Sequence, residues 1–258
     1  MEIQILGAHQ LELQGARLTS LLIDGILLID AGGVTSALSL SEQRKIKAIL
    51  LSHHHFDHTR DLVTLAANAA YYWQGQLAIY GLPYTLDMVR SHLLDGKMYA
   101  NFLEYPSKEK PAVILEAVEP HNRTTIAGYD VLAVPVKHSV PAVGYQVTSS
   151  DGKSLFYTSD TTAGIADCWQ HVSPQLLVAE VIAPNKYGDW LKTAGHMCAR
   201  LLKEELIQFR QLKGYLPRTI VVHIGNSFEN EIKEEVAEVA RELDADISLG
   251  YEDMKVTV

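Results

Sequence analysis

The stretch Ser52-His53-His54-His55-Phe56-Asp57-His58 decides how the chain reads. It follows Ile46-Lys47-Ala48-Ile49-Leu50-Leu51, a short apolar, β-branched run that predicts a buried strand. It precedes Asp61-Leu62-Val63-Thr64-Leu65-Ala66-Ala67, whose composition and spacing predict a helix. Imidazoles and a carboxylate are thus gathered in one turn between a strand and a helix. Neutral imidazole suits zinc, iron and manganese, and carboxylate suits the harder end of that range. His53 and His55, two apart, can point the same way from an extended segment. Asp57 and His58 lie beyond them, where the turn can aim them at a second point. The simpler alternative is a solvated histidine cluster in which Asp57 caps the next helix. The ordered pattern H-x-H-x-D-H at a strand end favours metal.

That pattern resembles the signature of the metallo-β-lactamase superfamily, whose members hold one or two metals between two stacked sheets. The resemblance implies an α/β fold, the four-layer αββα sandwich, and the patterning of the chain suits it. Residues 3–6, 20–23 and 26–29 read as strands, the last two joined through the hairpin signal Asp24-Gly25. Asp30-Ala31-Gly32-Gly33 ends this meander. Asp30 reads equally as a plain turn residue or, by the resemblance, as an aspartate supporting the site from beneath. Strand and helix patterns then alternate to a strand at 77–80 and a helix starting near Pro83, with Leu86, Val89 and Leu93 on one face.

Residues 90–110 are less regular. Their aromatics Tyr99, Phe102 and Tyr105 could close over a flat ligand, but packing a loop against the core is the simpler reading. Short β-like runs recur over 112–157. The last third alternates: strand 176–179, helix 199–211, strand 219–222, helix 231–243, and final strands near Ile247 and Val256. With no linker, low-complexity segment or short-period repeat, 1–258 reads as a single domain made of two similar halves.

Composition bounds the partners. The 258 residues are 47% hydrophobic and 21% charged, ordinary for a soluble globular protein. No apolar run approaches the ~20 residues that span a bilayer, and Met1-Glu2-Ile3-Gln4-Ile5-Leu6 lacks the features of a signal peptide. Cys168 and Cys198 stand far apart and in no metal spacing, in keeping with a reducing cytoplasm. Net charge is -9 with no lysine- or arginine-rich run, which disfavours a long nucleic acid as substrate. A membrane partner is not expected; a homodimer remains open.

Further donors are expected where predicted strands end and a rigid scaffold presents side chains to one rim. His138 follows the strand 131–136, Asp160 follows 155–158, and His223 follows 219–222. Any one alone reads as a turn residue or a core histidine. Together they stand in the superfamily's order His, Asp, His. The resemblance then implies His53, His55 and His138 on one metal, Asp57, His58 and His223 on the other, and Asp160 bridging them. Two divalent ions, two carboxylates and a hydroxide leave a net positive site, which attracts phosphate despite the acidic chain. Asp160 stands where the true β-lactamases carry cysteine, so antibiotic hydrolysis is not expected.

Glu180 ends the strand 176–179 and His196 lies in Ala194-Gly195-His196-Met197, before a helix. Read plainly they are a surface carboxylate and a neighbour of a helix cap. Together they resemble the Glu and His of the superfamily's phosphodiesterase branch, which includes transfer-RNA 3′-processing endonucleases and class II cyclic-nucleotide phosphodiesterases. There the His protonates the leaving oxygen and the Glu orients it. His138-Ser139-Val140-Pro141-Ala142-Val143-Gly144-Tyr145 resembles that branch's H-S-x-P-x-x-G-Y motif. Tyr157-Thr158-Ser159-Asp160-Thr161 resembles its S-G-D-T motif, with Ser159 in place of glycine, which puts the local turn in question. The segment 91–102 loosely resembles the cyclic-nucleotide enzymes. The long Gly/Pro-rich arm of the transfer-RNA endonucleases has no counterpart. His9, His54, His92, His121 and His171 are unassigned, though His54 could support the ligands.

The expectation is a binuclear metal hydrolase cleaving a phosphodiester in a cyclic nucleotide or similar small molecule. Metal-held hydroxide would attack phosphorus and His196 would protonate the leaving alkoxide. Zinc is the first choice of ion, with manganese or iron as alternatives. The rival readings are a ribonuclease Z-like endonuclease, a lactonase or thioesterase of the same fold, and a non-catalytic nucleotide-sensing metal module.

Overall fold

Short apolar runs, most of them buried on both faces, build the strands. The computed structural model describes residues 1–258. Its strands are β1 (Glu2–Gly7), β2 (Ser20–Ile23), β3 (Leu27–Ile29), β4 (Ala48–Leu50), β5 (Leu77–Gly81), β6 (Val113–Ala117) and β7 (Arg123–Ile126). They continue as β8 (Tyr129–Pro135), β9 (Val143–Thr148), β10 (Ser154–Tyr157), β11 (Leu176–Glu180), β12 (Arg218–Val222), β13 (Ile247–Leu249) and β14 (Met254–Thr257). The helices are α1 (Leu40–Gln43), α2 (Phe56–Thr59), α3 (Leu62–Asn68), α4 (Pro83–Met88), α5 (Ala166–His171), α6 (Gly188–Ala194), α7 (Ala199–Lys213) and α8 (Glu229–Leu243).

One sheet runs β14-β1-β2-β3-β4-β5-β6 and the other β7-β8-β9-β10-β11-β12-β13. Read in those directions, both begin with three antiparallel pairings. Both finish with three parallel ones. The same pattern twice over is the metallo-β-lactamase fold, an αββα sandwich, as the sequence predicts.

Three apolar layers hold it together, and alternation sorts residues among them. Leu176, Val178, Ile220 and Val222 turn inward and meet Leu21, Ile23 and Leu50 of the other sheet. Leu177, Ala179 and Val221 turn outward against Leu202, Leu206 and Phe209 of α7 and Ile232 and Val236 of α8. On the opposite flank Leu22, Leu28 and Ile49 pack against α3 and α4. Each such aliphatic side chain contributes ~1.5–3 kcal/mol by leaving water. No helix is long and apolar enough to cross a membrane.

The helix after Pro83 departs from the predicted face. Leu86 and Val89 are buried as expected, but Leu94 reaches the core and Leu93 is half-exposed. The cause is a π-helical turn over Val89–Leu93, in which the Leu94 amide donates to the Val89 carbonyl at 3.0 Å. That wider turn advances the apolar phase by one residue. In the irregular segment after it, Phe102 is fully buried, with Tyr99 and Tyr105 set around it.

Candidate metal centre

The carboxyl ends of β3, β4, β8, β10, β11 and β12 lie along one rim between the sheets, the usual place for a site in such a layered fold. The turn after β4 supplies His53 and His55, then α2 supplies Asp57 and His58. Asp57 does not cap α2: His55 occupies that position without a side-chain bond, and Asp57 accepts from His223 at 3.1 Å instead.

The residues expected to share the first ion come together. His55 Nδ1 is 3.0 Å from His53 Nε2 and 3.1 Å from His138 Nε2. Asp160 Oδ2 lies 3.8 Å from His53 Nε2 and 4.0 Å from His138 Nε2. In the second cluster, His58 Nε2 is 3.6 Å from Asp57 and 3.3 Å from Asp160, and His223 Nε2 is 3.1 Å and 3.5 Å from the same two. Four donors around one zinc sit ~3.4 Å apart if its bonds are ~2.1 Å, close to the spacing in both clusters. Asp160 belongs to both. Its Oδ1 and the Nε2 of His58 are buried without a hydrogen-bond partner.

The outward nitrogens explain why these donors face inward. Asp30 Oδ2 accepts from His58 Nδ1 at 2.8 Å, from the Tyr157 hydroxyl at 3.0 Å and from Ser52 Oγ at 2.8 Å. Its Oδ1 accepts the Ser52 amide at 2.8 Å. Ser52 Oγ in turn accepts His53 Nδ1–H at 3.0 Å, and the Gly195 carbonyl accepts His138 Nδ1–H at 2.9 Å. With those protons outside, the lone pairs of His53, His58 and His138 point at the donor clusters. Such outer partners fix the tautomer of a metal-binding imidazole. Asp30 is at once a left-handed turn residue, at φ 55, and the hydrogen-bond partner of His58 and Ser52 beneath the two clusters.

Charge agrees with a cation. Burial drives His53 well below its ordinary value and His138 down to about 4, so both are neutral donors. Burial would raise Asp57, but the hydrogen bond from His223 and nearby imidazoles outweigh it and hold the carboxyl at about 2. At His58 burial is overcome by Asp160 and Asp30, which raise it well above the imidazole range. Two carboxylates there demand a positive charge, and a proton or a metal can supply it. The donor set fits a divalent ion in each cluster.

Two glycines let the parts approach. A Cβ on Gly32 would come within 2.1 Å of the Asp57 carbonyl, so the Asp30 turn lies directly under the metal-site turn. Gly195, at φ +86, ends α6 where a Cβ would meet the His138 ring and the Ser139 amide.

Ser159 keeps the turn its glycine equivalent would make. It sits at φ 60, its hydroxyl 3.4 Å from His53 Nδ1. Next to it Asp160 enters the site, and the Thr161 amide donates to Glu180 Oε1 at 2.5 Å. Glu180, fully buried, accepts His196 Nδ1–H at 3.0 Å. His196 Nδ1 is also 3.9 Å from Asp160, and its ring stacks on His223. Burial would lower His196, but Glu180 raises it to about 9. Burial pushes Glu180 up as well. The two share one proton, and the more basic imidazole keeps it.

Sequence reasoning passed over Ser52, Tyr157 and Glu205. Glu205 lies on the apolar stripe of α7, four residues from Leu201 and Phe209, and that displacement was its signal. It is fully buried and accepts the Gly164 amide at 2.5 Å and the Trp169 indole at 2.7 Å, fixing the loop after Asp160. His54 meets Tyr84 edge-on at 5.3 Å.

A family model described as a beta-lactamase superfamily domain matches residues 21–224, and the chain belongs to that superfamily. Over 135 residues it is 34% identical to a ribonuclease Z of Methanococcus maripaludis, a match taking in 49% of this chain and 40% of the relative's length. Unliganded yeast PDE1 superposes with a TM-score of 0.83 at 16% identity, covering 100% of this chain and 99% of the other. The metallo-beta-lactamase fold protein YhfI from Bacillus subtilis gives 0.80 at 16% identity over 99% of each chain. At such identities the likeness is one of fold.

Proposed function

We propose that the chain, acting as one catalytic domain, is a binuclear metal-dependent phosphodiesterase for a cyclic nucleotide or a similarly small diester. His53, His55 and His138 would hold one ion, Asp57, His58 and His223 the other, with Asp160 between them. When bound, two such ions supply Lewis acidity at a phosphoryl oxygen and make a strong nucleophile of water at neutral pH. Asp30, Ser52 and the Gly195 carbonyl keep the ligand imidazoles aimed inward. His196 holds its proton at neutral pH and delivers it to the leaving oxygen from Nε2, while Glu180 grips Nδ1.

The His196–Glu180 pair beside Asp160 carries this reading. A module that only binds a nucleotide has no need of a carboxylate-backed proton donor. The net charge of -9, with no lysine- or arginine-rich run, supports a small diester over a long nucleic acid. The partial identity with a ribonuclease Z supports a second reading, a transfer-RNA 3′-endonuclease.

His196→Ala tests the proposal. Metal content should stay constant, and turnover of an alkyl nucleotide diester should fall ~10²–10⁴-fold, the usual value of a general acid. A p-nitrophenyl diester, whose leaving group needs little protonation, should suffer far less. Glu180→Gln should show the same pattern more mildly. Equal losses on both substrates would make His196 a phosphate-positioning group, and loss of an ion would make it a ligand. Efficient trimming of a transfer-RNA precursor without cleavage of small diesters would favour the second reading.

A further inference from the structure

Beside the metal centre, on the side of His196 and His223, the surface opens into a cavity of about 210 Å³. Its floor is apolar, with Ile182 and Leu191 buried, and its walls carry Trp190 and Phe228. Gln10 and Ser227 bring an amide and a hydroxyl to the rim. The cavity is built on the segments that carry Glu180, His196 and His223. The Gly225 amide donates to the Ile182 carbonyl at 3.0 Å, the Ile182 amide to Met197 at 3.1 Å, and the His196 amide to Leu191 at 2.9 Å. Ile182 lies two residues past Glu180, and Gly225 two past His223. A group leaving toward His196 therefore has this cavity as its neighbour.

Trp190 is 66% exposed, although Leu191 beside it on α6 is fully buried. A large indole in water at a cavity next to the candidate centre offers a flat face on which a ring can stack. We infer that the cavity seats the nucleobase of the substrate, stacked on Trp190 with its edge toward Gln10 and Ser227. Its flat face suits the apolar floor, and the polar rim matches the donors and acceptors of a heterocycle's edge. The volume is of the order of a single base, which agrees with a small diester. This inference rests on the phosphodiesterase reading and deepens it.

Two measurements keep the inference and that reading apart. The first compares kcat/KM for adenosine 3′,5′-cyclic phosphate with that for trimethylene phosphate, a cyclic diester without a base. Stacking on an aromatic side chain is typically worth ~1–3 kcal/mol per base, so Trp190→Ala should lower the preference for the nucleotide by about tenfold, through KM. Trp190→Phe, which keeps a flat face, should restore most of it. The second follows tryptophan fluorescence on titration with adenosine 5′-monophosphate or ribose 5-phosphate. Only the nucleotide should quench it, and Trp190→Phe should remove most of that response, because Trp169 is buried and Trp73 lines a separate surface with Leu40 and Arg44. An unchanged preference in Trp190→Ala overturns the inference while the phosphodiesterase reading stands. If neither diester is cleaved, that reading falls, and the fluorescence decides the cavity: equal responses to the two phosphates, or none, overturn it.

Discussion

The two halves of the molecule repeat one strand pattern and deliver their site residues in opposite ways. After β4, four candidate ligands arrive in the single run from His53 to His58. The second half sends His138, Asp160 and His223 one at a time from the ends of β8, β10 and β12. The contrast is sharpest between β3 and β10, each fourth from the antiparallel edge of its sheet. Each is followed by a left-handed residue, Asp30 at φ 55 and Ser159 at φ 60. In the first half the aspartate is itself that residue and lies beneath the ligands. In the second it comes after, and lies among them. A shift of one or two residues in the same turn moves an aspartate from beneath the candidate ligands to a place shared by their two clusters.

If the second half supplies what joins the clusters, Asp160→Ala should have the largest effect. Elemental analysis should fall from about two ions per chain, the count of a two-metal site, to fewer than one. Retention of both would mean that Asp160 is not what joins the two clusters. Asp30→Asn should act less severely, weakening metal affinity ~10–100-fold, as removal of such outer partners does. Competition with a chelator measures it, and an unchanged affinity would reduce Asp30 to a turn residue. The smallest effect belongs to Ser159→Gly. Relief of a left-handed residue is worth ~1–2 kcal/mol, against ~0.5–1 kcal/mol for glycine's extra freedom when unfolded. The melting temperature should therefore shift only slightly, and a large fall would show that the hydroxyl anchors His53.

The same contrast governs what the sequence could reveal. The run from His53 to His58 is legible because its spacing and its flanking strand and helix are local. His138, Asp160 and His223 could be proposed only because each follows a strand-like run; that they meet depends on two sheets closing face to face. Glu205 escaped notice because a carboxylate on an apolar stripe has meaning only once Gly164 and Trp169 are seen against it. The π-helical turn after Val89 was equally hidden, since one extra residue per turn leaves no mark on composition.

The position of β14 has a consequence for how the chain comes to life on the ribosome. Residues 254–257 return across the molecule to pair with β1, with Glu2 opposite Thr257. Synthesis proceeds from the amino terminus, so β1 waits with an open hydrogen-bonding edge until nearly every other residue has been made. An unpaired edge of that kind invites pairing with the wrong strand, and such long-range closures are slow. Closing the first sheet therefore waits on a strand made after every strand of the second.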